Sequence, residues 1–197
     1  WALLTFRPSD DMKTVESDAP HFVDISAAAL AGTDVDPRLP EPRLPRPVRP
    51  AGAIHDLDGD RDPDVVITKP TRLLINRGDG TFEDGTERLG LGPGETTHTA
   101  VLIVDFNRDG HVDILLGRYP TSRVLLGRGD GTFERRNFQL QDPGMSKRWV
   151  ISSMTAHDVD RDGLMDVFIG GHGLDGDPGP NSPTDADNGF PNRMFKG

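Results

Sequence analysis

The sequence predicts an all-β protein assembled from repeated sheets of four antiparallel strands. Three observations carry that prediction. An acidic nine-residue pattern, D-x-[DN]-x-D-x-x-x-D, occurs at residues 56–64 (DLDGDRDPD), 105–113 (DFNRDGHVD) and 158–166 (DVDRDGLMD), with starts 49 and 53 residues apart. A second motif repeats in phase with it, LLINRGDGTFED at 73–84 and VLLGRGDGTFER at 124–135. Short runs rich in β-branched and aliphatic residues follow each acidic stretch (65–67, 112–116 and 167–169), and another, 100–104, precedes the second; runs of that length bounded by turn residues read as strands.

In chain order, residues 1–20 read as an N-terminal extension. HFVDIS at 21–26 is similar to TFEDGT at 81–86, the outer strand of a unit. The segment 21–36 is therefore either a strand that closes a propeller ring or an N-terminal strand sharing the same pattern. Residues 37–50 contain six prolines and four arginines, the composition of an extended linker. Residues 51–98 and 99–148 each read as strand, acidic loop, strand, link, strand, Gly-Asp-Gly turn, strand. Glycine supplies the positive φ that such a turn requires. Four antiparallel strands in about 50 residues is the size of one propeller blade. Residues 149–197 begin a third blade. It ends on NRMFKG, before any GDGTF, and carries a long polar insertion at 170–191 in place of the short link. Asp175, Asp177, Asp185 and Asp187 in that insertion offer oxygen donors at no spacing that fits a metal template.

The acidic loops read as calcium sites. Calcium takes six to eight oxygens from carboxylates, carbonyls and water. Positions 1, 3, 5 and 9 supply side-chain oxygens: Asp56, Asp58, Asp60 and Asp64; Asp105, Asn107, Asp109 and Asp113; Asp158, Asp160, Asp162 and Asp166. Position 7, occupied by Asp62, His111 and Leu164, varies as expected of a residue that contributes its backbone carbonyl. Transition metals favour imidazole or thiolate, and magnesium demands a tighter octahedron. An EF-hand needs a glutamate at position 12, where this chain has Ile67, Leu116 and Ile169. The competing reading, polar turns alone, leaves three to five mutually repelling carboxylates in nine residues against a single arginine,. About three ions are expected, one per loop. Loop 1 is expected to bind most weakly, because Arg61 stands at position 6 where the others have Gly110 and Gly163,.

Composition narrows the function. A net charge of −10 opposes a general nucleic-acid surface or an anionic membrane. Twelve of the 32 acidic residues lie in the three loops, so the charge is local rather than a diffuse solvated face. Without cysteine there is no disulfide or thiolate metal site. No apolar run approaches the roughly 18 residues of a membrane helix, and residues 1–20 do not read as a signal peptide, so the chain starting at Trp1 has the look of a processed end or boundary,. Two Arg-Gly-Asp triplets, at 77–79 and 128–130, would suit adhesion, but turn geometry already explains their Gly and Asp. His55 and His157 precede loop aspartates and read as strand residues. Ser152, Ser153, His157 and Asp158 are triad residue types without triad spacing. No phosphate-binding, dinucleotide or zinc-protease motif is present.

The pairing of D-x-[DN]-x-D-G-x-x-D with LLxNxGDGTF resembles the FG-GAP/VCBS repeat of calcium-binding β-propellers, the architecture of the integrin α-subunit head. FVDISAAALAG at 22–32 is similar to the opening of bacterial and cartilage-acidic-protein-like members. The resemblance covers about residues 21–36 and 51–197. It implies a seven- or eight-bladed propeller, a secreted, periplasmic or cell-surface location, structural calcium, and binding or scaffolding rather than catalysis. Three blades do not close a ring. The rest is expected from a C-terminal continuation, a second chain or self-association. The expected function is a non-enzymatic protein-interaction or scaffold segment, without nucleic-acid or membrane partners. The alternative is an accessory domain or subunit of a larger extracellular or periplasmic enzyme or filament, with its active centre outside this chain.

Overall fold

A computed structural model of the chain describes residues 26–33, 51–93, 95, 97–118, 121–139, 149–173 and 192–197. The expectations for 1–20 and 37–50, and for the four aspartates of the insertion, lie outside the described residues. The described chain is all-β apart from two short helical turns. Strands β1 (Gly52–His55), β2 (Asp64–Ile67), β3 (Arg72–Asn76) and β4 (Phe82–Asp84) form the first sheet in that order. Strands β5 (Ala100–Val104), β6 (Asp113–Gly117), β7 (Thr121–Gly127) and β8 (Phe133–Gln139) form the second. Strands β9 (Trp149–His157), β10 (Asp166–Gly173) and β11 (Arg193–Phe195) form the third, in the order β11-β10-β9. All pairings are antiparallel. The three sheets stack as blades, and among the described residues they close no ring.

Two details depart from the sequence reading. Ser26–Ala29 form a single α-helical turn, α1, followed by a turn closed by the Thr33 hydroxyl donating to Leu30 O at 2.9 Å. An alanine run has high helix propensity. Residues 21–25, which carry most of the expected closing strand, lie outside the described residues. Gly170–Gly173, expected to open the polar insertion, instead extend β10, because the nine-residue β9 offers them a partner as far as Trp149, across a bulge at Gly170/Gly171. Residues 174–191 lie outside the described residues.

Strand alternation decides which blade each side chain meets. In β6, Ile114 and Leu116 turn towards the first blade. There they join Val66, Leu73, Ile75, Leu57 and Leu125 in one buried cluster. Leu115, between them, turns the other way and packs with Ile151, Val167 and Ile169 of the third. One strand thus serves two cores. The link between blades 1 and 2 is also fastened. A 3₁₀-helix at Thr86–Leu89 buries Leu89 fully. Glu95 accepts from Arg123 Nε at 3.1 Å, Arg135 Nη1 at 2.7 Å and Gly92 N at 2.9 Å, and also pairs with Arg123 Nη2. Arg123, then the Gly92 amide and Arg135, hold its carboxyl down to about 2.

His98, 1% exposed, lies in the same link with Nδ1 2.8 Å from Thr71 Oγ1. Burial, then the nearby Arg118 and Arg123, lower its pKa from 6.5 to about 4. Because folding favours the neutral ring, its contribution is complete above pH 6.5 and is lost as pH falls towards and through 4. Between those values stability should drop by up to about 1.4 kcal/mol per pH unit from this group. Denaturant melts at pH 7 and pH 5 should show a smaller acid loss in His98→Gln; parallel losses in both proteins would refute the assignment.

Candidate metal centres

Each acidic loop joins the first two strands of its blade, and its ninth residue is the first residue of the second strand. The registers His55↔Asp64, Val104↔Asp113 and His157↔Asp166 place that aspartate at the end of the ladder in all three blades. His55 and His157 are strand residues, and His55 Nδ1 lies 3.0 Å from Asp56 O.

The loops share one hydrogen-bond scheme. The first aspartate accepts from the amide of position 6: Arg61 to Asp56 at 3.0 Å, Gly110 to Asp105 at 3.0 Å and Gly163 to Asp158 at 2.8 Å. The third position accepts from the amide of the fifth, with Asp58, Asn107 and Asp160 receiving Asp60, Asp109 and Asp162 at 3.0–3.3 Å. The fifth accepts from the seventh: Asp60 from Asp62, Asp109 from His111 and Asp162 from Leu164, at 2.8–2.9 Å. These Asx turns coil the chain, and in loops 1 and 3 they bring the carboxylates of positions 1, 3 and 9 together,.

The ninth aspartate has a second role that spacing did not reveal. One oxygen accepts from position 2 of its own loop: Leu57 to Asp64, Phe106 to Asp113 and Val159 to Asp166, at 2.8–3.0 Å. The other accepts from an amide at or just beyond the third strand: Asn76, Gly127 and Gly197, at 2.8–3.1 Å. All three aspartates are buried. Burial pushes the carboxyls of Asp64 and Asp113 up, and the two amides at each partly offset it.

Backbone geometry qualifies the expectation for loop 1. Position 6 is left-handed in every loop, with φ of 78° at Arg61 and 88° at Gly110 and Gly163. Position 4 is left-handed too: Gly59 at 83°, Arg108 at 62° and Arg161 at 65°. Loop 1 has therefore exchanged the two residues, with its glycine at position 4 and its arginine at position 6. Every loop carries one left-handed non-glycine residue.

The donor set fits a hard cation. Carboxylate oxygens of Asp56, Asp58 and Asp64, and of Asp158, Asp160 and Asp166, converge within 4.8 Å of one another. In loop 3 the Oδ1 of Asp158 is buried without a hydrogen-bond partner, a costly state for a carboxylate oxygen unless a cation meets it. Loop 2 has only three carboxylates, because Asn107 holds position 3 and donates to Asp109 Oδ2 at 2.9 Å. Among the described residues, basic side chains pair with carboxylates of two loops: Arg88 Nη1 lies 3.8 Å from Asp58 Oδ2, and Lys196 Nζ lies 2.6 Å from Asp160 Oδ2 and 3.3 Å from Asp162 Oδ2.

The Gly-Asp-Gly turns are braced against these loops. Both glycines of each are left-handed, and Asp79 and Asp130 accept from the amide and hydroxyl of Thr81 and Thr132. A Cβ on Gly78 would lie 2.6 Å from Asp62 Oδ2, and one on Gly129 would overlap the His111 ring. Across the blades, a Cβ on Gly131 would lie 2.9 Å from Asp58 Cβ. The arginines of the two Arg-Gly-Asp triplets turn to strand glutamates, Arg77 to Glu83 at 3.5 Å and Arg128 to Glu134 at 4.0 Å. Ser152 Oγ donates to Gly170 O at 3.2 Å. No helix among the described residues is long and apolar enough to cross a membrane.

The FG-GAP-like repeat matches residues 56–116 and 105–169. Cartilage acidic protein 1 of Homo sapiens is 30% identical over 100 residues, 51% of this chain and 15% of that protein. That of Xenopus tropicalis is 34% identical over 102 residues, 51% of this chain and 16% of that protein. The chain thus matches only about a sixth of these relatives' length. A solved Agrocybe aegerita lectin, studied for recognition of non-reducing terminal N-acetylglucosamine, aligns with a TM-score of 0.42 and 20% identity, covering 75% of this chain and 38% of that one.

Two measurements follow from the loop geometry. Asp113→Ala should cost about 2–4 kcal/mol even in chelator, because it strands the buried amide of Gly127 and the part-buried amide of Phe106,; a cost seen only with metal present would overturn this role of Asp113. Arg61→Gly should raise stability by about 0.5–1 kcal/mol, the relief of a left-handed side chain less the entropy of glycine. An unchanged or lower denaturation midpoint would show that Arg61 is not strained.

Proposed function

Because this chain belongs to the FG-GAP-like repeat family, we propose that it is a calcium-stabilised segment of an extracellular β-propeller, serving as a protein-interaction or scaffold module and not as a catalyst. The observation that carries the calcium reading is the buried, unpartnered Asp158 Oδ1, set in a loop whose scheme recurs three times. Asp56, Asp58, Asp60 and Asp64, their counterparts in loops 2 and 3, and the position-7 carbonyls of Asp62, His111 and Leu164 would hold one ion each. Calcium would neutralise the gathered carboxylates and lock each loop to its blade. It has no part in a reaction.

Exposed apolar residues support membership of a larger stack. Val159 (60% exposed) and Met194 (56%) occupy the positions of Leu57 and Leu73, which are buried beneath the second blade. Ile54 (65%) at the opposite end holds the position of Ile103, which packs against the first blade. The same positions are covered inside the stack and open at its ends, so the natural occupant of each end is a further sheet or a protein partner. An extracellular setting follows from affinity. Extracellular calcium modules bind at about 10⁻⁴–10⁻³ M, a range that leaves them empty in the cytosol.

Calorimetric titration should show calcium uptake, and EGTA should lower the melting temperature and speed proteolysis at the loops. Asp109→Ala should remove one ion and leave the others bound. No uptake together with an unchanged melt in chelator would sink the calcium reading.

A further inference from the structure

The three loops are not electrostatically alike. Lys196 occupies the position of Ile75 in the first blade and Leu126 in the second, as the registers Val167↔Phe195, Val65↔Leu74 and Ile114↔Leu125 fix it. Two blades place an apolar side chain there and the third places a cation. Its ammonium reaches carboxylates at positions 3 and 5 together, at 2.6 Å and 3.3 Å. A second cation approaches the same loop: the Arg108 guanidinium lies where a Cβ on Gly163 would be. In loop 1 the basic neighbour is more distant, Arg88 at 3.8 Å from Asp58 alone, and Arg88 is shared with Glu83 at 2.9 Å. Among the described residues no lysine or arginine pairs with Asp105, Asp109 or Asp113 of loop 2. The loops therefore differ in nearby charge as well as in the residue at position 6.

We infer that Lys196 is a resident counter-ion of loop 3, holding Asp160 and Asp162 in place without metal and competing with calcium for them. The inference rests on the calcium reading of the loops. Lys196 does not reach every donor, since Asp158 Oδ1 stays buried and unpartnered. A calcium ion entering loop 3 satisfies that oxygen and displaces the ammonium, whose charge is then only a few ångströms from a divalent ion, a repulsion softened by solvent and salt. Loop 3 thus becomes the weakest calcium site and the one least dependent on calcium for its shape. The order expected from backbone alone, with loop 1 weakest, is replaced by one set by charge.

The test compares the full chain with Lys196→Met and Lys196→Arg, using calcium alone as the probe. Titration of the wild-type chain should resolve two tighter sites and one weaker. Lys196→Met should tighten the weak site about tenfold and leave the others within about twofold, whereas Lys196→Arg should keep it weak. Asp158→Asn in the Lys196→Met background should abolish the tightened site and thereby identify it as loop 3. In EGTA, limited proteolysis should cut the wild-type chain at 56–64 and 105–113 before 158–166, and Lys196→Met should lose that protection. If calcium binds but Lys196→Met leaves every affinity and the cleavage order unchanged, the counter-ion role is overturned while the calcium reading stands. If neither the wild type nor the variant takes up calcium, the calcium reading fails and this inference fails with it.

Discussion

The ninth aspartate of each acidic loop is the interaction on which the rest depends. Asp64, Asp113 and Asp166 each receive an amide from their own loop and another from the end of the third strand. A buried carboxylate accepting two backbone N–H groups is strong only while both stay in place. It therefore fixes the loop, the second strand and the start of the Gly-Asp-Gly turn in one geometry. Oxygens at the other loop positions can converge because their last member cannot drift. Whatever cation the loop takes, it meets a cradle whose base is already set by the sheet.

From that anchor the architecture propagates by alternation. β6 begins on Asp113 and sends Ile114 and Leu116 to one neighbour and Leu115 to the other. The acidic loop is thus a register device as well as a set of oxygen donors: a slip of one residue would expose both cores and break the aspartate's bonds together. The turn of one blade leans on the loop of the blade before it, with Gly131 against Asp58. Blade order and loop shape are for this reason coupled. Packing explains Gly78, Gly129 and Gly131 of the RGDGTF motifs, and a left-handed backbone in open space explains Gly80.

The repeat, the strand runs and the four-strand blade were legible in the sequence because each is written locally: acidic spacing at odd positions, β-branched runs, glycines at turns. What could not be read depended on partners distant in the chain. Glu95 meets Arg123 and Arg135, 28 and 40 residues on, and His98 meets Thr71 from 27 residues away. Gly170–Gly173 gave a composition signal for a loop, yet the length of β9 made them a strand. Ser26, the last residue of the strand-like pattern at 21–26, begins a helical turn with the alanines that follow it. Nothing in the sequence singled out Lys196, which the register of β11 sets beside Asp160. The backbone scheme of the loops was half legible: position 6 was recognisable as a glycine site, and position 4 was not.

The paired left-handed positions limit how such loops can change over generations. Each loop holds one glycine and one arginine across positions 4 and 6, and loop 1 holds them in the reverse order. Converting one arrangement into the other requires two substitutions, and their sequence matters. A route through two arginines passes through a loop with two strained residues, at roughly 1–2 kcal/mol for each. A route through two glycines passes through a relaxed though more flexible intermediate. Neutral drift is therefore channelled through the double-glycine form, and loops with glycine at both positions are the expected common ancestors of the two arrangements in this chain.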